Sequence, residues 1–168
     1  MMKINFKNNK GYTLLFAVLV SSIVLSIGIS ILTISKKEFL LSASARDSTS
    51  AFYAADSGLE CAAYHDGIGD HFSTTTPDVV GISCAGYSPT ESWTQDVGPD
   101  DSGIFTFSMP LGTSGSCAVV SVEKYYDDDD IATTRIISRG YNIGWDDVGK
   151  SCSEPSSRRV ERALQLTY

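Results

Sequence analysis

Residues 7–39 read KNNKGYTLLFAVLVSSIVLSIGISILTISKKEF. A charged head gives way to 24 uncharged residues, Tyr12 to Ser35, which stop at Lys36-Lys37-Glu38. As an α-helix rising about 1.5 Å per residue, the run reaches roughly 36 Å. The hydrocarbon core of a bilayer is about 30 Å thick, so the run spans it with some tilt. A cleaved secretory signal has a shorter apolar region, of about 7–15 residues, followed closely by a small-residue cleavage site. Here Ser42-Ala43-Ser44-Ala45 lies too far downstream, beyond two lysines and a glutamate, and no cysteine near the N-terminus suits a lipoprotein signal. The run therefore reads as a retained single-pass membrane anchor. Lys3, Lys7 and Lys10 precede it with no acid among them, whereas Lys36 and Lys37 are partly offset by Glu38. The positive-inside bias weakly favours a cytoplasmic N-terminus, with the chain beyond Lys36 outside.

Composition agrees with export. Of the 13 basic residues, three lie in the first eleven positions, which leaves 10 against 20 acids in the remainder. Such an acidic balance argues against nucleic-acid binding, since phosphate contact needs the opposite sign. Four cysteines, Cys61, Cys84, Cys117 and Cys152, are an even number in a region expected to be exported, and two disulfides are the natural reading. Of the three possible pairings, Cys61–Cys84 would close the loop after the helix, and Cys117–Cys152 would tie the last loop to a strand. Beyond the helix about 100 residues remain, enough for one small core that benefits from such staples.

The helical pattern outlasts the apolar run. From Lys36 to about Tyr64 there is no proline, and Leu41, Ala45, Ser48, Phe52, Ala55, Leu59 and Ala62 recur at alternating spacings of four and three. This is a heptad seam, apolar except at Ser48, with Lys37, Arg46, Asp47, Asp56 and Glu60 off it. Gly58 is its weak interior position. The spacing predicts one helix over 12–64, with 12–35 apolar all round and the remainder amphipathic and in need of a partner surface.

That partner is expected in residues 65–168. Residues 66–103 are rich in Gly, Ser, Thr, Pro and Asp and read as a loop. Four β-rich segments follow over 104–168. IFTFSM places Phe105, Phe107 and Met109 on one face, and CAVVSVEKYY places Ala118, Val120 and Val122 on one face. TRIISRGYNI is β-branched but alternates less cleanly. RRVERALQLTY groups Val160, Leu164, Leu166 and Tyr168, with Arg162 as the exception. Alternation of this kind predicts a half-buried antiparallel sheet. The expected fold class is α+β: a long N-terminal helix packed on a C-terminal antiparallel sheet of about four strands.

A basic head, Gly11, an aromatic residue and the Thr13-Leu14-Leu15 opening of a long apolar helix resemble the processing signal of type IV pilins and pseudopilins. The segment ending AFYAADSGLECA resembles the corresponding helix of minor, PilX-like pilins. The resemblance implies a prepilin leader over 1–11, cut by a prepilin peptidase between Gly11 and Tyr12. The same enzyme would then methylate the new N-terminus at Tyr12. It also implies that the helix, Leu14, Leu15 and Phe16 included, is first a targeting signal, then a membrane anchor held in lipid, and finally the packing core of a cell-surface fibre. The partners would be other pilin subunits and the membrane platform of the assembly machine. Major subunits of the family carry Glu at the fifth mature position, thought to pair with a neighbour's ammonium terminus, and here that position is Phe16. The departure implies a minor subunit, at the tip of a pilus or secretion pseudopilus or only rarely incorporated. The rival reading is a membrane-anchored extracytoplasmic receptor or adhesion module that never polymerises.

Other features have plain explanations. Asp127, Asp128, Asp129 and Asp130 crowd carboxylates that could ligate Ca²⁺, but the spacing of a calcium loop is absent and a solvated turn is the simpler reading. Asp146 and Asp147 would add ligands only if the fold brought them close. Zinc held by cysteines with His65 or His71 lacks the usual Cys-x-x-Cys pair. Trp93, Trp145 and Tyr87 are placed in loops, for partner contact or local packing. No nucleophile elbow, phosphate loop or metalloprotease motif is present, so neither enzymatic activity nor a cofactor is expected.

Overall fold

The computed structural model describes residues 10–74, 81–89, 94–97, 102–126 and 131–168. It divides into two compact units, Met1–Ser44 and Ala45–Tyr168. Helix α1 (Lys10–Gly69) contributes its first part to one and the rest to the other. It runs past the expected end at Tyr64, and the chain leaves it at Asp70, whose φ of 47° is a left-handed conformation that Asp tolerates.

The second unit is a two-layer α+β domain. Its sheet is an antiparallel meander of β1 (Thr94–Val97), β2 (Gly103–Leu111), β3 (Ser116–Tyr126), β4 (Ala132–Tyr141) and β5 (Glu161–Thr167), in that spatial order. Strands β2 to β5 are the four that alternation predicts. The short edge strand β1 lies in the stretch expected to be loop, because four residues between Gly- and Pro-rich flanks carry too little alternation to announce a strand.

Pairing register sets the contour of the sheet. Phe107 lies opposite Val120, Val120 opposite Ser138 and Ser138 opposite Leu164. One row over, Met109, Ala118, Gly140 and Arg162 line up in the same way. Side-chain volume therefore falls from β2 to β4, which leaves a trough above β3 and β4. Helix α1 occupies it. A Cβ built at Gly140 would collide with the carbonyl oxygen of Ala51 and the amide nitrogen of Ala55. A Cβ at Gly58 would come within 2.6 Å of Ser138 Oγ and 2.8 Å of Val120 Cγ2.

This close approach corrects the predicted seam. The buried residues of this stretch are Ala51, Ala54, Ala55, Gly58, Ala62 and His65, a stripe rotated from the expected one, although Leu59 of that seam also packs, half-buried, against the core. Leu41 and Phe52 stay 74% and 44% exposed, while Ala55 and Ala62 are buried as the seam had them. The heptad reading favours large apolar side chains, but here glycine and alanine bring backbones together, and Phe52 is too large for the trough. Gly58, weak by propensity, is therefore a contact residue. The large volume comes instead from Phe105 and Phe107 on β2 and from Phe72 and Ile82 after the helix. Phe72 lies nearly parallel to Phe107 at 6.2 Å.

On β5 the grouping is looser. Leu164 is half-buried and Leu166 exposed, and the strand is fixed instead by polar ends. Arg162 Nε donates to Ser48 Oγ at 2.8 Å, and the Tyr168 hydroxyl donates to Asp66 Oδ2 at 2.7 Å.

Candidate functional site

The chemistry of the first unit is that of its surface. From Tyr12 to Ser42 every side chain is exposed, Leu14, Leu15 and Phe16 included. Large apolar residues recur from Tyr12 through Leu41 on all sides of the helix. Soluble monomers rarely expose large contiguous apolar surfaces, whereas here Leu, Ile, Val and Phe side chains are exposed along the whole run. It is long and apolar enough to cross a membrane, and its surface requires lipid or protein around it.

The polar residues in the run are suited to such surroundings. Ser21 and Ser22 hydroxyls donate to the carbonyls of Val18 and Leu19 at 3.0 and 2.8 Å, and Ser30 and Thr33 to those of Ser26 and Ile29 at 3.0 and 2.9 Å. Each donor is satisfied within its own helix, which a hydrocarbon environment demands. Nothing lies within 4 Å of a Cβ built at Gly28, so the helix carries an open notch there. Small residues of this kind let helix backbones approach each other in a membrane. Gly11 and Tyr12 fall in the first turn of α1. Phe16 is exposed, and the run from Tyr12 to Ser35 holds no carboxylate to pair with an ammonium group.

In the second unit Cys61 is joined to Cys84 and Cys117 to Cys152, with Cα separations of 5.8 and 5.9 Å, inside the ordinary disulfide range. The second bridge ties β3 to the β4–β5 loop. That loop is further held by the Trp145 backbone amide donating to the Gly115 carbonyl at 3.1 Å and by Arg159 lying 3.9 Å over the Tyr141 ring. Trp145 packs edge-on to Tyr87 at 5.5 Å and donates to Asp147 Oδ1 at 2.8 Å, which is the local packing role. Asp146 Oδ1 accepts from the Val148 amide at 2.9 Å, so both aspartates serve the loop itself. Trp93 and the run Asp127, Asp128, Asp129 and Asp130 lie outside the described residues.

Two features had no clear sequence signal. Phe52 and Tyr53 form an exposed edge-to-face pair, 6.0 Å apart, on the helix side away from the sheet. Asp66 gathers Lys124 Nζ at 2.7 Å and the Tyr168 hydroxyl. Burial, and then the hydrogen bond and charge of Asp66, push the Tyr168 phenol well above its usual range. Tyr141 is raised chiefly by burial and then by Glu161.

No protein-family model, curated protein or solved structure matches this chain. A long apolar-then-amphipathic N-terminal helix packed on an open antiparallel sheet is consistent with a generic pilin-like fold and points to no one family.

Proposed function

We propose that the chain is a minor type IV pilin-like structural subunit, exported through the membrane by its N-terminal helix and assembled into, or at the tip of, a pilus or pseudopilus. The observation that carries the reading is the helix surface from Tyr12 to Ser35. It is apolar all round, wholly exposed, internally satisfied at the Ser21, Ser22, Ser30 and Thr33 hydroxyls and notched at Gly28. Such a surface is equally content in lipid or among copies of similar helices, because Leu and Ile side chains and lipid tails are about equally apolar and packing decides between them.

The subunit is stored in the bilayer with its N-terminus cytoplasmic and its sheet domain outside. Prepilin peptidase cuts between Gly11 and Tyr12 and methylates Tyr12, and the assembly platform then moves the helix from lipid into the fibre. A bare ammonium in a dry helix bundle is costly without a counter-charge. Phe16 offers none to a neighbour, which favours a position where none is required.

The test is a photo-crosslinking residue at position 16 in the full chain. Adducts with other helix-bearing subunits in a sheared-fibre fraction are expected. Adducts with lipid alone, and no chain in sheared fibres, would instead support an anchored receptor or adhesion module.

A further inference from the structure

The end of α1 carries a cluster that the assembly reading does not use. Cys61 and His65 stand one helical turn apart on the same face, and Cys84 is brought against them by the loop after the helix. One ligand atom from each of the three lies within 4.8 Å of the others. His65 is 8% exposed, and its Nε2 lies 3.2 and 3.3 Å from the carbonyl oxygen and amide nitrogen of Ser83, next to Cys84. A second imidazole, His71, stands outside that group but beside His65. After Asp70 the chain turns back, the His71 amide donates to the His65 carbonyl at 3.5 Å, and the two imidazoles sit 5.2 Å apart. A Cβ at Gly69 or Gly81 would collide with the His71 ring, so two glycines make room for it. The other disulfide, Cys117–Cys152, belongs to no such group among the described residues.

We propose that this is a metal site in the reduced protein: with the Cys61–Cys84 bond opened, Cys61, Cys84 and His65, joined by His71, bind a zinc-type divalent cation. Two thiolates and two imidazoles are the donor set that Zn²⁺ takes tetrahedrally, with bonds of about 2.3 Å to sulfur and about 2.0 Å to nitrogen. Ligand atoms in such a site stand about 3.5 Å apart, so on reduction the two sulfurs, bonded in the disulfide, must part, while the His65 ring closes on them and the His71 ring swings in from outside the cluster. The chemistry balances. A phosphine reductant takes one oxygen from water to become its oxide, and the disulfide accepts two electrons and two protons to give two thiols. The cation then displaces those two protons to solvent. Oxidant and cation thus compete for the same two sulfurs, and either one ties residues 81–84 to the helix. The inference is independent of fibre assembly.

The experiment uses the full chain in detergent, reduced with a phosphine and transferred to oxygen-free buffer, with Co²⁺ as the spectroscopic probe. A near-ultraviolet thiolate-to-cobalt band of one-to-one stoichiometry is expected, bleached by Zn²⁺. It should persist in Cys117→Ser/Cys152→Ser, vanish in Cys84→Ser and bind at least tenfold more weakly in His65→Ala. Circular dichroism of each variant checks that the domain is folded, and His65→Asn serves if the alanine variant is not. Absence of the band in reduced, folded protein, its survival in Cys84→Ser, or unchanged affinity in the His65 variant would overturn the proposal.

Discussion

Gly140→Ala isolates the contact on which the domain is built. The new Cβ would press into the backbone of α1 at the Ala51 carbonyl, the Ala54 carbonyl carbon and the Ala55 amide. Helix backbone has no rotamer to yield, so α1 must lift off the trough or β4 must bend. Overpacking of this kind costs about 1–3 kcal/mol. Removing a glycine from a strand interior returns about 0.5–1 kcal/mol. With the upper part of the overpacking range, set by backbone on both sides, the net loss is about 2 kcal/mol. A unit of this size holds about 6–18 kcal/mol at roughly 0.05–0.15 kcal/mol per residue, and its melting point should fall by about 8 °C. The assay is thermal unfolding of the full chain in detergent, followed by tryptophan fluorescence, which reports the sheet domain. Gly67→Ala on the same helix is the control. Its Cβ meets nothing within 4 Å, so helix propensity alone acts and stability should rise by up to about 1 kcal/mol. Equal melting points for Gly140→Ala and the parent would mean that helix and β4 do not approach this closely, and the trough would be wrong.

Ser138 Oγ is buried without a hydrogen-bond partner among the described residues, so Ser138→Ala should be neutral or stabilising by about 1 kcal/mol in the same melt, and a clear loss would contradict this. Tyr168 is held protonated in the fold while the unfolded phenol ionises near pH 10. Its contribution is therefore complete below about pH 10 and is lost as pH rises toward the folded value. Melting points taken from pH 8 to 11 should fall less steeply in Tyr168→Phe than in the parent; parallel curves would contradict this. Loops of 23 and 35 residues closed by the two disulfides should contribute about 3–4 kcal/mol each by loop entropy, read from melts of Cys61→Ser/Cys84→Ser and Cys117→Ser/Cys152→Ser. Phe16→Glu gives a neighbouring ammonium a partner and should raise the chain's abundance in sheared fibres or shift its position along them; no change in either would remove the explanation of Phe16.

The long-range plan of the fold was legible wherever period and volume agree. An uncharged run of 24 residues announces its own helix, and Phe105, Phe107 and Met109 alternate with polar neighbours, as do Val120 and Val122, so both strands declare their buried faces. The helix face was legible only in part: Ala55, Leu59 and Ala62 of the seam pack inward, but pattern reading ranks side chains by hydrophobicity, whereas this contact is ranked by smallness. Phe52 outweighs Ala51 and Gly58 in any apolar seam, yet only the small residues fit above Gly140 and Ser138. Strand β1 was hidden by its length of four residues. The gathering at Asp66 joins Lys124 and Tyr168, and local spacing holds no record of a contact made only by sheet register. Cys61 and His65 at helical spacing were visible, but His71 joins them only because the chain reverses at Asp70.

The measurement that bears most directly on the account is mass spectrometry of the mature N-terminus, taken from chain recovered at the cell surface. Retention of the apolar helix through processing predicts a product beginning with N-methylated Tyr12. A product that keeps Met1, or one that starts downstream of Lys36, would contradict it.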